Sequence, residues 1–195
     1  TIINDDGLPQ VSVHNETVRE GDEGTTTAKF AVRLSKRKQF PVSVDFATVD
    51  NEAKAGSDYA GTSGTLTFNP GEEHKTIIVQ VNGDLMHERN ESFMVVLSNP
   101  VGATIHDSKA EGTILNDDPE PKITISNGTV TEGNAGTTPL MFAVDLSNPT
   151  DEIVAVNYAT VDWTAKEPGD YSAVSGTLMF NPGETSQSIT VSVNG

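Results

Sequence analysis

Apolar residues alternate with polar ones along most of this chain, in short stretches separated by Gly, Pro, Asn and Asp. Phe30, Val32 and Leu34 share one face of a run whose other face is Ala31, Arg33 and Ser35, and Val42, Val44 and Phe46 repeat the pattern. A period of two is that of a strand with one buried face, and the branched, Thr-rich make-up of these runs suits it. Strands are predicted near residues 10–19, 25–35, 41–49, 64–69, 74–82, 91–98 and 109–116. In NPGEE at 69–73, Pro70 sets φ and Gly71 accepts a positive one, which makes a hairpin turn. Short strands at this spacing, without any helical period, predict an all-β chain of Ig-like or fibronectin-III-like antiparallel β-sandwiches, about seven strands each.

The chain also matches itself. VREG ending at Gly21 returns as VTEG ending at Gly133, FATVDNEAKAGSDY as YATVDWTAKEPGDY, SGTLTFNPGE as SGTLMFNPGE, and the opening TIINDD as TILNDD at 113–118. Glu20 and Glu132 are 112 residues apart, and every other match has this offset, so the copies align without a gap. A period this long is a domain with its own core rather than a solenoid unit. Residues 1–7 therefore read as the last strand of a preceding repeat, 8–118 as a complete domain, and 119–195 as a partial second domain without counterparts of the last strands. The chain reads as part of a longer polypeptide, and the prolines of NDDPEPK predict a semi-rigid link between modules. Unpaired sheet edges in the partial copy lead us to expect strand exchange between chains.

Charge adds chemistry to this frame. With 28 acidic against 12 basic residues the formal net charge is −16, which opposes binding to nucleic acid and to anionic membrane surfaces. No apolar run approaches the ~18 residues of a membrane-spanning helix, so direct insertion by this segment is not expected. There is no cysteine, and hence no disulfide framework or thiolate metal site.

In an antiparallel sandwich alternate loops meet at one end. Following the predicted strands up and down brings Glu20, Asp58, the loop carrying Asp84, Glu88 and Glu91, and the pair Asp117 and Asp118 to the same pole. Two like charges ~4 Å apart repel by about 1 kcal/mol even in water. Arg19 and Arg89 are the basic residues beside this group. A hard divalent cation prefers carboxylate oxygen, and calcium tolerates the irregular geometry of separate loops where magnesium demands an octahedron. Asp45 and Asp50 are assigned to the strand and loop framework, and His14, His74, His87 and His106 to exposed positions without metal spacing.

The stretches TVREGDEG, VDFATVDNEAKAGSDYAGTSGTLTFNPGE, GDLMHERNESF, VVLSNP and GTILNDD together resemble the Calx-β domain, over the whole chain. That module occurs in tandem in sodium–calcium exchangers, as a regulatory calcium sensor, and also in integrin β4, matrix proteins and large bacterial surface proteins. The resemblance implies calcium ligands at Glu20, Asp58, Asp84, Glu88, Glu91, Asp117 and Asp118 and a backbone carbonyl from Met86; seven negative charges would neutralise two or three Ca2+ ions, and two are expected in the complete repeat. Gly83 and Asn116 depart from the family pattern, having aspartate counterparts in the best exchanger domain. The second copy keeps Glu132 and Asp170 as a partial site, while Asn4, Asp5 and Asp6 belong to the preceding repeat.

Catalysis is not expected. GTSGT at 61–65 lacks the G-x-S-x-G pattern and leads into a strand, and a glycosidase carboxylate pair would need aromatics for sugar stacking, of which the acidic loops hold almost none. The sequons at Asn15, Asn90 and Asn127 bear on function only in a secreted eukaryotic chain. Two functions follow. The first is a calcium-binding structural or adhesive repeat of a larger secreted or cell-surface protein, with calcium rigidifying the junction between repeats. The second is a calcium-sensing regulatory domain of a transporter or other membrane protein, on the cytoplasmic side. The repetitive, Thr- and Asn-rich composition points to the first.

Overall fold

The computed structural model describes residues 7–195; TIINDD, with Asn4, Asp5 and Asp6, lies outside the described residues. The described chain is all β and divides into two compact units, the first holding residues to Asp84 together with Arg89–Asp117, the second Leu85–Glu88 with Asp118–Gly195.

Unit 1 is a sandwich of two sheets. Its strands are β1 (Gln10–Val13), β2 (Glu16–Arg19), β3 (Thr25–Leu34), β4 (Val42–Asp50), β5 (Ser63–Phe68), β6 (His74–Asn82), β7 (Glu91–Val101), β8 (Thr104–Asp107) and β9 (Lys109–Leu115). One sheet runs β6-β3-β1-β8, the other β2-β9-β7-β4-β5. The expected strand at 10–19 is thus two strands that serve opposite sheets, β1 antiparallel to β3 and β2 parallel to β9. A chain that crosses between sheets must break its ladder, which it does at His14 and Asn15. The short β8, parallel to β1, was not foreseen, because its four residues carry no clear alternation.

Alternation decides which face is inside. Phe30, Val32, Val42 and Val44 are buried as predicted, while Arg33 faces solvent. Phe93 of β7 lies at the centre, edge-on to Phe30 with centroids 5.7 Å apart and stacked on Tyr59 at 4.3 Å. Gly112 of β9 makes room for it, since a Cβ there would come within 2.6 Å of Phe93 and 2.7 Å of Phe30.

Tyr59 also ties the core to the loop above it. Its hydroxyl donates to Asp50 Oδ1 at 2.7 Å, and the Ala55 N–H donates to the same oxygen at 2.9 Å. The Tyr59 hydrogen bond, more than the backbone one, holds the Asp50 carboxyl below its ordinary range. Burial, then the bond to Asp50, pushes the Tyr59 phenol up to about 12. Asp45 is likewise a framework residue, accepting from Thr65 and Asn99.

Unit 2 repeats these parts. β10 (Ile123–Ile125), β11 (Thr137–Leu146) and β14 (Ser186–Asn194) form one sheet, β12 (Val154–Ala159) and β13 (Ser175–Phe180) the other. Its core holds Val144, Leu146, Tyr171, Phe180, Ile189 and Val191. Tyr171 bonds Asp162 at 2.7 Å just as Tyr59 bonds Asp50. Residues 128–131, the counterpart of β2, form no strand, and the reason is visible in unit 1: β2 takes its ladder from β9, which has no counterpart in 119–195.

Two outcomes are expected in urea unfolding. Gly112→Ala forces the central rings apart and lowers stability by about 1–3 kcal/mol. Tyr59→Phe keeps the stacked ring but loses the hydroxyl, lowering the unfolding midpoint at neutral pH. Because the folded Asp50 pKa is depressed, its contribution is present above the unfolded carboxylate pKa and is lost as pH falls through the folded one. The difference between wild type and Tyr59→Phe therefore narrows in acid.

Candidate metal centre

The strand registers of unit 1 bring five of the predicted residues to one pole. In the parallel β2–β9 ladder Arg19 pairs with Leu115, so Glu20 and Asp117 leave the sheet side by side. The Glu20 N–H donates to Leu115 O at 3.3 Å and the Gly21 N–H to Asp117 Oδ1 at 3.0 Å, which orients that carboxylate. Glu91 starts β7 opposite Ile114, and Asn90 Oδ1 accepts the Asn116 N–H at 3.0 Å, placing the β7 entry at the same end. The end of β6 arrives there too, since Thr25 pairs with Asn82, and Asp84 follows two residues later. Finally the Asn82 N–H donates to Asp58 O at 2.9 Å, bringing in the loop before β5.

Glu20 is buried and its carbonyl accepts Thr26 Oγ1 at 2.8 Å; Asp58 and Glu91 are half-buried, Asp84 and Asp117 exposed. One Asp58 oxygen, Oδ2, is engaged by the Lys54 N–H at 2.5 Å in a tight local turn. The chain segments converge, but among the described residues no three His, Asp or Glu side chains form a ready-made metal cage. Met86, Glu88 and Asp118 belong to unit 2, the first two half-buried and Asp118 buried.

Unit 2 also holds His87, and the expectation of an exposed loop histidine fails there. His87 is half-buried, its N–H donates to Pro149 O at 2.9 Å, and its own carbonyl accepts Thr150 Oγ1 at 2.9 Å. Its ring Nδ1 lies 2.9 Å from Asp118 O. His14, His74 and His106 are exposed.

Gly83, one of the two departures from the family pattern, has a steric reason. A Cβ there would sit 2.1 Å from Gly21 O and 2.8 Å from Glu20 O, so this backbone admits no side chain. Sequence reasoning passed over Asn82, whose side-chain amide donates to Ser57 O at 2.5 Å and clamps the loop that carries Asp58. A signal was there, because the VNG of 81–83 returns at 193–195, and Asn194 donates to Pro168 O at 2.7 Å, the counterpart of the Gly56 O that Asn82 reaches at 3.3 Å.

In unit 2, Glu132 and Asp170 keep the local geometry of their counterparts. Thr138 Oγ1 donates to Glu132 O at 2.9 Å, and the Lys166 N–H to Asp170 Oδ2 at 2.7 Å. Both residues are exposed.

Sodium/calcium exchanger 2 of Homo sapiens is 31% identical over 172 residues, covering 77% of this chain and 18% of its own. Sodium/calcium exchanger 1 of Rattus norvegicus is 37% identical over 98 residues, covering 50% and 10%. The chain thus spans less than a fifth of the exchangers it matches. Among solved structures, CBD12 from CALX1.2 is 25% identical with a TM-score of 0.52, covering 94% of this chain and 74% of that one. The apo form of the Calx CBD1 domain is 28% identical with a TM-score of 0.50, covering 57% of this chain and all of that one. The family model of the Calx-beta domain matches residues 4–118 and again 116–195, and the chain belongs to that family.

Proposed function

We propose that this chain is a calcium-binding regulatory segment of a membrane transporter of the sodium/calcium exchanger kind. The observation that carries the reading is the convergence of Glu20, Asp58, Asp84, Glu91 and Asp117 from separate chain segments onto one pole of unit 1. Every donor is hard oxygen, the chemistry that calcium takes from flexible loops. Burial of Glu20 strengthens its attraction for a cation, since the effective dielectric there is lower than at the surface. Glu88 and Asp118 join the proposal on the strand order read from the sequence and on the family resemblance, the Met86 carbonyl on the resemblance, and two ions on the charge to be neutralised.

The residues fit a bound calcium in what they can do. Asp117, held by the Gly21 N–H, presents an oriented carboxylate, and Asp58 retains Oδ1 for a cation while Oδ2 holds its turn. Calcium would neutralise the charge gathered at the pole and draw loops that are near one another into a single cluster. The change is one of order and charge, which is what a regulatory module has to offer.

The exchanger relatives favour this reading over the secreted or adhesive one. It places the chain where calcium varies in the sensor range, about 10⁻⁷ to 10⁻⁵ M, rather than the 10⁻⁴ to 10⁻³ M of extracellular modules.

Calorimetric titration of the chelator-stripped protein is expected to show micromolar or tighter binding, lost in Asp84→Ala and Asp117→Ala. At a hundred times Kd, calcium is expected to add about 2.7 kcal/mol to stability. Millimolar binding would return the chain to the extracellular class, and absence of binding would refute the calcium reading.

A further inference from the structure

The end of β6 is where three segments of unit 1 meet. Asn82 stands opposite Thr25, its N–H donates to Asp58 O at 2.9 Å, and its side-chain amide donates to Ser57 O at 2.5 Å and to Gly56 O at 3.3 Å. The N–H of Gly83 donates to Gly24 O at 3.1 Å, and its α-carbon passes so near Glu20 and Gly21 that a Cβ would strike their carbonyls. Asp84 follows at once. The segments that carry Asp58, Glu20 and Asp84 are thus fastened together at residues 82 and 83, through main-chain atoms and one amide side chain.

Unit 2 repeats the fastening with different acceptors. The Asn194 N–H donates to Asp170 O at 2.9 Å, its amide reaches Pro168 O at 2.7 Å and Gly169 O at 3.4 Å, and the Gly195 N–H donates to Gly136 O at 2.9 Å. Gly56 and Ser57 have become Pro168 and Gly169, so the contact is with backbone whatever residue carries it. What both copies keep is a planar amide with two donors on one nitrogen, a group that can serve two successive carbonyls.

Such a clamp bears unequally on different cations. Calcium takes about six to eight oxygens, here from separate segments, so its affinity depends on their being held in mutual position. Magnesium keeps several of its waters and is satisfied by a carboxylate or two.

We propose that Asn82 is a positioning residue of the acidic pole, and that by fixing the Asp58 segment against the root of the Asp84 loop it sets the preference of the pole for calcium over magnesium. This role rests on the calcium reading of the same pole. Asn82 acts through Asp58 and Asp84 rather than on the ion, its amide nitrogen being engaged by the two carbonyls.

Two substitutions separate the clamp from simple electrostatics. Asn82→Ala removes both donors. Asn82→Asp keeps the shape and adds a negative charge, but its carboxylate cannot donate to the carbonyls of Gly56 and Ser57. Charge alone would make this variant bind cations more tightly, whereas a broken clamp loosens calcium.

Calcium and magnesium are titrated separately by calorimetry into the chelator-stripped full chain, its two Asn82 variants and Asn194→Asp. The calcium Kd is expected to rise about tenfold or more in both Asn82 variants, while the magnesium Kd rises less than about threefold; Asn194→Asp changes neither. In the metal-free protein, hydrogen exchange of the residue 82 N–H, which donates to Asp58 O, is expected to quicken in both Asn82 variants. Unchanged calcium affinity in Asn82→Ala, tighter calcium binding in Asn82→Asp, equal losses for the two cations, or unchanged exchange overturns the clamp and leaves the calcium site standing. A wild-type chain that binds no calcium overturns both.

Discussion

The stack of Tyr59 on Phe93 is the contact on which most of unit 1 depends. At 4.3 Å between centroids it fastens a loop residue to the middle of β7, and the edge of Phe30 completes the packing from the opposite sheet. Its second consequence lies outside the core. The hydroxyl of the same ring holds Asp50, which with the Ala55 N–H fixes the fold of the 50–59 loop and so the location of Asp58. Packing and charge placement are therefore joined in one side chain.

From that anchor the acidic pole follows by ladder geometry. Parallel pairing of β2 with β9 sends Glu20 and Asp117 out together, and the β3–β6 and β7–β9 registers bring the remaining segments to the same end. Carboxylates gathered in this way cost electrostatic energy that a divalent cation would reverse, and the family to which the chain belongs makes calcium the natural choice. The glycine at position 83 belongs to the same design, because the backbone crossing at Gly21 leaves no room for a side chain.

The two copies serve as each other's control. Tyr171 with Asp162, and Asn194 with the Pro168 carbonyl, reproduce their counterparts, so these local ties need nothing beyond residues 119–195. Residues 128–131 do not reproduce β2, and Ile125 does not reproduce the burial of Val13. What recurs uses only partners within residues 119–195, whereas in unit 1 the strand that residues 128–131 fail to form pairs with β9.

The sequence by itself determined the class of fold, the 112-residue period and the inward face of β3 and β4, because alternation and self-similarity are linear properties of a chain. It also named the acidic residues, since turn-flanking carboxylates are conspicuous against Thr- and Val-rich strands. Only the tertiary structure decided that the run at 10–19 serves two sheets, that β8 exists, and that His87 is held by Pro149 and Thr150. The same holds for the clamp of Asn82 on the Asp58 loop and the exclusion of a side chain at Gly83. Each of these rests on which backbone atoms meet across long separations in sequence, and residue pattern along one chain carries no record of that.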